Sequence, residues 1–261
     1  AAGISTPRLD AEVIVCHAAS VERHRLISDR DMELPPSVYE DIERLVERRI
    51  EGEPVAYLTG EKEFYSLPFI VNRNVLIPRP ETELIVDLAI YHSPQNGALL
   101  DLCTGSGAIA IAVAHSRRDL TVFASDISAE ALAVAEENAL RILGEGRIAF
   151  RRGDLFEPFQ GMRFDVIVSN PPYVDPGMRG RLAKELAFEP EIALYSGCGG
   201  LAHTLRIVEQ AGGHLNEGGI IILETGEGIA HDVAGAAGSA GFAATVTRDY
   251  SKLPRAVTMK R

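Results

Sequence analysis

Ser169-Asn170-Pro171-Pro172-Tyr173 groups a carboxamide, an aromatic ring and two residues without a backbone N–H. Neither proline can extend a strand's hydrogen-bond ladder, and each holds the residue before it in extended geometry. Just upstream, Phe164-Asp165-Val166-Ile167-Val168 has the pattern of a buried strand. The sequence therefore predicts a stiff loop at a strand's carboxyl end, where open α/β sheets bind ligands. A planar NH2 group offers two N–H donors in one plane. The Asn170 side-chain oxygen and the Pro171 carbonyl could accept one each, with Tyr173 against the flat face. A lone Pro-Pro pair, by contrast, is usually a turn that ends a strand.

A second group of residues suits a nucleotide-like ligand. Gly105-Ser106-Gly107-Ala108-Ile109-Ala110 fits G-x-G-x-x-[G/A], and Asp126 lies about twenty residues on. Glycines let backbone approach a ligand closely, and an acid at the end of the second strand accepts hydrogen bonds from ribose hydroxyls. Taken alone, this is also the dinucleotide fingerprint. Three features favour S-adenosylmethionine. Asp101 sits inside the motif, where it would orient the loop or meet the methionine ammonium. The chain ends in what reads as an antiparallel hairpin. The Asn-Pro-Pro-Tyr loop has no part in hydride transfer. Cys103 and Thr104 complete the expected cofactor loop, and Asn170 borders it. Asp154 is expected at a polar edge of adenine and Leu155 on its face; packing in the core is the other reading of Leu155.

The elements that position these groups follow from periodicity. Leu99 to Leu102, Thr121 to Ser125, Ile148 to Phe150 and Phe164 to Val168 read as strands, alternating with helices over Ala108 to His115 and from Ser128 to about Ile142. A helix over Leu201 to Leu215 precedes the strand Gly219 to Glu224, and Ala243 to Thr247 pairs with Ala256 to Lys260. The expected fold is α/β, a Rossmann-like seven-stranded sheet. Ahead of it lies a helical module of about fifty residues, thin for an independent core. Thr6-Pro7 starts its first helix, with Leu9, Val13 and Cys16 as the apolar stripe. Arg25 to Ile27 forms a short second helix. Ser37 and Glu40 make a capping box for another, striped by Val38, Ile42, Leu45, Val46 and Ile50. Glu63 to Ile77 reads as a β-hairpin linker, and Pro80 or Thr82 opens a helix through about His92. We divide the chain into a helical substrate-recognition domain (1–55), a β-hairpin linker (56–78) and a catalytic domain (79–261).

Composition narrows the classes. With 261 residues, 46% hydrophobic and 24% charged, the chain is an ordinary globular one. No apolar run approaches a membrane span, and no signal peptide is visible. The start without methionine fits a trimmed chain. Cys16, Cys103 and Cys198 are far apart and form no zinc-ligand pair, which suits a reducing cytoplasm and predicts no metal. A formal net charge of −11 argues against direct nucleic-acid binding, which needs a basic face.

The whole pattern resembles the bacterial release-factor glutamine N5-methyltransferases. The resemblance rests on Gly52-Glu53-Pro54-Val55-Ala56-Tyr57-Leu58-Thr59-Gly60, on Ile77-Pro78-Arg79-Pro80-Glu81-Thr82-Glu83 and on Asp101 to Gly107. Asn170 to Tyr173, Phe188-Glu189-Pro190 with Ala193-Leu194, and Glu224-Thr225-Gly226 complete it. It covers nearly the whole chain in order. It implies a class I methyltransferase sheet, S-adenosyl-L-methionine as cofactor and class-1 peptide-chain release factors as substrate, methylated on a Gly-Gly-Gln glutamine. A related family acts on a ribosomal protein, and the Arg-Pro-Glu-Thr-Glu run favours the release-factor branch. Adenine methyltransferases use the same loop on a flipped base but need a basic groove. A nicotinamide oxidoreductase or a binding scaffold would leave Asn170 to Tyr173 idle. Cys103 stands where this branch has glycine, Leu155 where some members have tryptophan, and Gly199 where aspartate is usual; the family's first helix is absent.

Overall fold

The computed structural model describes residues 4, 6–29 and 32–261; the opening Ala1-Ala2-Gly3 lies outside the described residues. The chain divides into two units, one of residues 1–61 with 183–188 and the other of 62–182 with 189–261.

The first unit carries α1 (Pro7–Ala19), α2 (Arg23–Ser28), α3 (Pro36–Glu51) and α4 (Val55–Thr59). Its apolar core is small: Ile14, Leu45 and Leu58. Charge fills the remainder. Buried Asp10 and Arg49 pair at 2.7 Å, and Arg49 also pairs with Glu185. The expected α1 stripe is therefore rotated, while α3 keeps Leu45 and Val46 of its stripe in the core and loses only Ile50 from it. Leu9 is 42% and Ile50 57% exposed, while Asp10 and Arg49 face inward. Hydropathy alone sends charges to solvent, but a guanidinium–carboxylate pair can be buried when each group satisfies the other. The capping box is also absent. Pro35 is the N-cap and Pro36 the first helical residue of α3, with no side-chain cap bond. Proline's preset φ starts the helix there and leaves Ser37 inside the first turn. Thr6 precedes α1 as expected, but its hydroxyl donates to Asp10 Oδ1 at 2.8 Å and caps no backbone N–H.

Next in the chain is a hairpin of β1 (Glu61–Phe64) and β2 (Leu67–Ile70), which from Lys62 on belongs to the second unit. Tyr65 and Ser66 turn it with φ of 52° and 58°. The strand pairing stops at Ile70, short of the expected Ile77. The chain then makes a turn closed by the Val75 N–H on the Asn72 carbonyl, which a strand-like run of residues does not announce. A 3₁₀ turn, Pro80–Thr82, leads into α5 (Glu83–His92).

The sheet follows as β3 (Ala98–Leu102), α6 (Ala108–Ser116), β4 (Thr121–Asp126), α7 (Ala129–Leu143), β5 (Ile148–Arg152) and β6 (Phe164–Ser169). Then come the short α8 (Glu191–Leu194), α9 (Ala202–Ala211), β7 (Leu215–Glu224), α10 (Ala230–Ser239), β8 (Ala243–Arg248) and β9 (Pro254–Lys260). The strand order is β5-β4-β3-β6-β7-β9-β8. The first five are parallel; β9 runs antiparallel to both β7 and β8. The expected seven-stranded α/β sheet with its antiparallel end is thus present. Helix α9 ends at Ala211, before Leu215, because Gly212 and Gly213 break it. Helix α10, rich in alanine and glycine, lacks a periodic signal and was not anticipated.

Alternation along each strand builds two cores. Leu99, Val166, Val168 and Ile222 face α5 and α6, while Leu100, Leu102, Ile167 and Leu223 face α9 and α10. The order reverses beside β3: β4 lies on one side and β6 on the other. Loops leaving such a point diverge and leave a crevice between them. Among the described residues, no helix is long and apolar enough to cross a membrane.

Candidate active site

A cavity of about 180 Å³ opens at the carboxyl ends of β3, β4, β5 and β6, within the second unit. Cys103, Thr104, Gly105 and Ser106 line it from the β3–α6 loop, Asp126 and Ser128 from the end of β4, Asp154 and Leu155 from beyond β5, and Asn170 and Pro172 from beyond β6. The two residue groups that the sequence singled out therefore share one cavity. Asp101, Gly107, Pro171 and Tyr173 are not among its walls.

Behind the loop, Asp101 is fully buried. Its Oδ2 accepts from Thr104 Oγ1 at 2.6 Å and from the Ala110 N–H at 3.2 Å. Of the two roles considered for it, the geometry serves the first, which is to orient the loop. Its Oδ1 has no hydrogen-bond partner, and burial pushes the carboxyl up to about 7. Gly107 has φ 82°, and a Cβ there would sit 2.7 Å from Ile111 Cδ1. A side chain would also press on Ala135 of α7 at 3.2 Å, in a left-handed backbone conformation that disfavours any side chain. Buried Asn138 was not anticipated. It donates to the Ser106 carbonyl at 3.0 Å and exchanges two hydrogen bonds with Ile70, tying loop and hairpin to α7.

Asp126 accepts the Gly105 N–H at 2.9 Å on Oδ2 and the Ser128 N–H at 3.0 Å on Oδ1. Burial raises its pKa against these amides. Each carboxylate oxygen keeps lone-pair capacity for a diol. A Cβ at Gly105 would meet nothing within 4 Å, so the loop leaves open space for a ligand. Leu155 offers an apolar wall, held at φ 50°. Asp154 pairs with Arg206 at 2.7 Å, and both line the cavity. A diol acceptor, open backbone, an apolar wall and a polar rim fit an adenosine.

At the other end, Asn170 Nδ2 donates to Thr82 Oγ1 at 3.3 Å, and Thr82 Oγ1 donates to Glu224 Oε2 at 2.6 Å. The Tyr173 hydroxyl donates to Glu224 Oε1 at 3.2 Å. Thr82 and Glu224 are buried, and burial pushes Glu224 up to about 7. Arg79, also on the cavity wall, ion-pairs with Glu189. The sequence displayed Thr82 and Glu224 only as parts of longer runs; no local spacing joins residues so far apart. Beyond the corner, Val174 is tied on both sides, its N–H to the Leu194 carbonyl and its carbonyl to the Ser196 N–H, each at 2.8 Å. Gly200 backs it with φ 93°; a Cβ there would lie 2.2 Å from the Tyr173 carbonyl oxygen.

Residues 1–60 match the family model described as the PrmC N-terminal domain, and residues 82–202 match the methyltransferase small domain. The chain is similar to the release factor glutamine methyltransferase of Neisseria gonorrhoeae, at 40% identity over 238 residues, 90% of this chain and 86% of that one. A protein of the same name from Yersinia pestis is 40% identical over 252 residues, 96% and 91% of the two chains. Among solved structures, a methyltransferase from Pyrococcus furiosus superposes with a TM-score of 0.56. The match covers 76% of this chain and 91% of that one at 19% identity, a likeness of fold.

Proposed function

This chain belongs to the release factor glutamine methyltransferase family, and on that premise we propose how its cavity performs the transfer. The protein moves a methyl group from S-adenosylmethionine to a glutamine of a release factor. The acceptor is the side-chain amide nitrogen (N5) of the glutamine in the Gly-Gly-Gln loop of class-1 factors. The observation that carries this reading is the single cavity shared by the glycine loop and Asn170.

When bound, the cofactor supplies an electrophilic methyl on a sulfonium. Cys103, Thr104, Gly105 and Ser106 hold it by backbone, braced by Asp101 and Gly107. Asp126 takes the ribose hydroxyls, with Asp154 and Leu155 at the adenine. At the acceptor end, an amide nitrogen is a poor nucleophile because its lone pair is delocalised. Asn170 Oδ1 and the Pro171 carbonyl accept its two N–H groups and turn the nitrogen's face toward the methyl. Pro172 walls the amide, and Tyr173 holds the corner's shape. Such positioning supplies up to about 7–11 kcal/mol, and no side-chain base is needed because the amide proton passes to water. The helical unit recognises the factor, and the reaction takes place in the cytoplasm.

The test uses labelled S-adenosylmethionine with a release factor, with its Gln-substituted variant and with DNA. Label is expected only on the unsubstituted factor. Label on DNA would instead support transfer to adenine and overturn the substrate. Asn170→Ala is expected to slow methyl transfer ~10²-fold, with cofactor affinity changed less.

A further inference from the structure

We infer that Thr82 and Glu224 are positioning residues that set which way the Asn170 carboxamide faces, and so whether it presents an acceptor to the substrate amide. This rests on the reading that Asn170 grips that amide. The argument is one of proton direction. A carboxylate has no proton to give, so at the 2.6 Å contact the Thr82 hydroxyl must be the donor. With its single hydrogen committed to Glu224 Oε2, Thr82 Oγ1 can only accept from Asn170. The 3.3 Å contact is then satisfied by Nδ2, which sets Oδ1 at the opposite edge of the planar carboxamide, pointing away from Thr82. Turned the other way, the amide would set Oδ1 against the lone pairs of Thr82 Oγ1, with no hydrogen between them.

The arrangement has no slack. Thr82 is 3% and Glu224 1% exposed, so a partner lost there leaves a buried polar group at a cost. Tyr173 occupies Glu224 Oε1, leaving Oε2 to Thr82. Four groups act on Glu224: the Thr82 and Tyr173 hydroxyls and Arg255 of β9 favour its charged form, whereas Glu81 of the 3₁₀ turn opposes it. Protonation would disturb the relay directly. A protonated carboxyl gains an O–H donor, and the acceptors in contact with it are the Thr82 and Tyr173 hydroxyl oxygens. If it donates to Thr82, the threonine hydrogen is freed to face Asn170, and the carboxamide can turn.

The test is a double-mutant cycle with steady-state kinetics and cofactor binding measured side by side. Thr82→Val is expected to lower kcat ~5-fold while cofactor Kd stays unchanged, and Thr82→Ser is expected to restore kcat to within about twofold of the original. In an Asn170→Ala background, Thr82→Val should have no further effect on kcat. Glu224→Gln, which keeps the packing, should abolish the rise of kcat with pH through about 7. The inference is overturned if Thr82→Val keeps the original kcat, if it costs the same with and without Asn170, or if Glu224→Gln leaves the pH profile intact. Full activity of Asn170→Ala alone would instead defeat the underlying reading of the amide grip, so the two failures are distinguishable.

Discussion

Two carboxylates mark the two ends of the cavity. Asp101 stands behind the cofactor loop and Glu224 behind the diproline corner. Both are almost completely buried, and burial pushes both up to about 7. Their surroundings differ in one respect. The donors to Asp101 converge on Oδ2 and leave Oδ1 without a partner, whereas Glu224 takes one donor on each oxygen. Asp101 can therefore gain a proton on Oδ1 while both loop contacts remain. A proton on Glu224 instead lands on an oxygen that already accepts from Thr82 or Tyr173 and turns an acceptor into a donor at that contact. Two acids that burial shifts in the same direction thus respond differently: acid leaves the contacts of the glycine loop in place but reverses a contact behind the diproline corner.

The sharpest way to separate the ends is truncation. Asp101→Ala removes both loop contacts and leaves the buried Ala110 N–H without an acceptor. Cofactor affinity is expected to fall ~30-fold, measured by calorimetric titration. If kcat fell and affinity held, the division between the ends would break. A smaller effect concerns pH and stability. Both groups have folded values raised above their unfolded ones, so the folded protein holds more protons between about 4 and 7. Stability of the ligand-free protein is then fullest at the acid end of that window and declines as pH rises through it. The denaturant midpoint should show that decline, and Asp101→Asn, which keeps an oxygen for Thr104 and Ala110, should flatten it in part. The smallest effect belongs to Tyr173→Phe. It removes one donor from Glu224 while the ring still abuts Gly226. We expect kcat to fall ~3-fold at neutral pH with unchanged cofactor Kd, by stopped-flow and equilibrium binding.

Much of this architecture was legible in the sequence because its signals are local. Strand alternation, the glycine loop, Asp126 and the Asn-Pro-Pro-Tyr run each declare themselves within a few residues. What escaped was held by long-range pairing. Asp10 and Arg49 turn charge inward, rotating the α1 stripe and leaving Ile50 outside that of α3, which hydropathy cannot foresee. Asn138 reaches Ser106 and Ile70 across the fold, and the Thr82–Glu224 contact spans 142 positions. The sequence named Tyr173 as a ring to lie against the substrate; the structure engages its hydroxyl with Glu224 and leaves Pro172 on the cavity wall. Helix α10 carried no stripe because alanine and glycine give periodicity little contrast.

The glycines behind the corner have one further consequence. Gly199 and Gly200 are adjacent and both left-handed, yet a Cβ on the first would touch nothing within 4 Å, while one on the second would strike the Tyr173 carbonyl. Asparagine or aspartate can adopt that backbone conformation at Gly199 at modest cost, so a side chain fits at this position. Gly200 has no such latitude, and a single methyl group there would push the Tyr173 carbonyl and the diproline corner from behind without altering Asn170 itself.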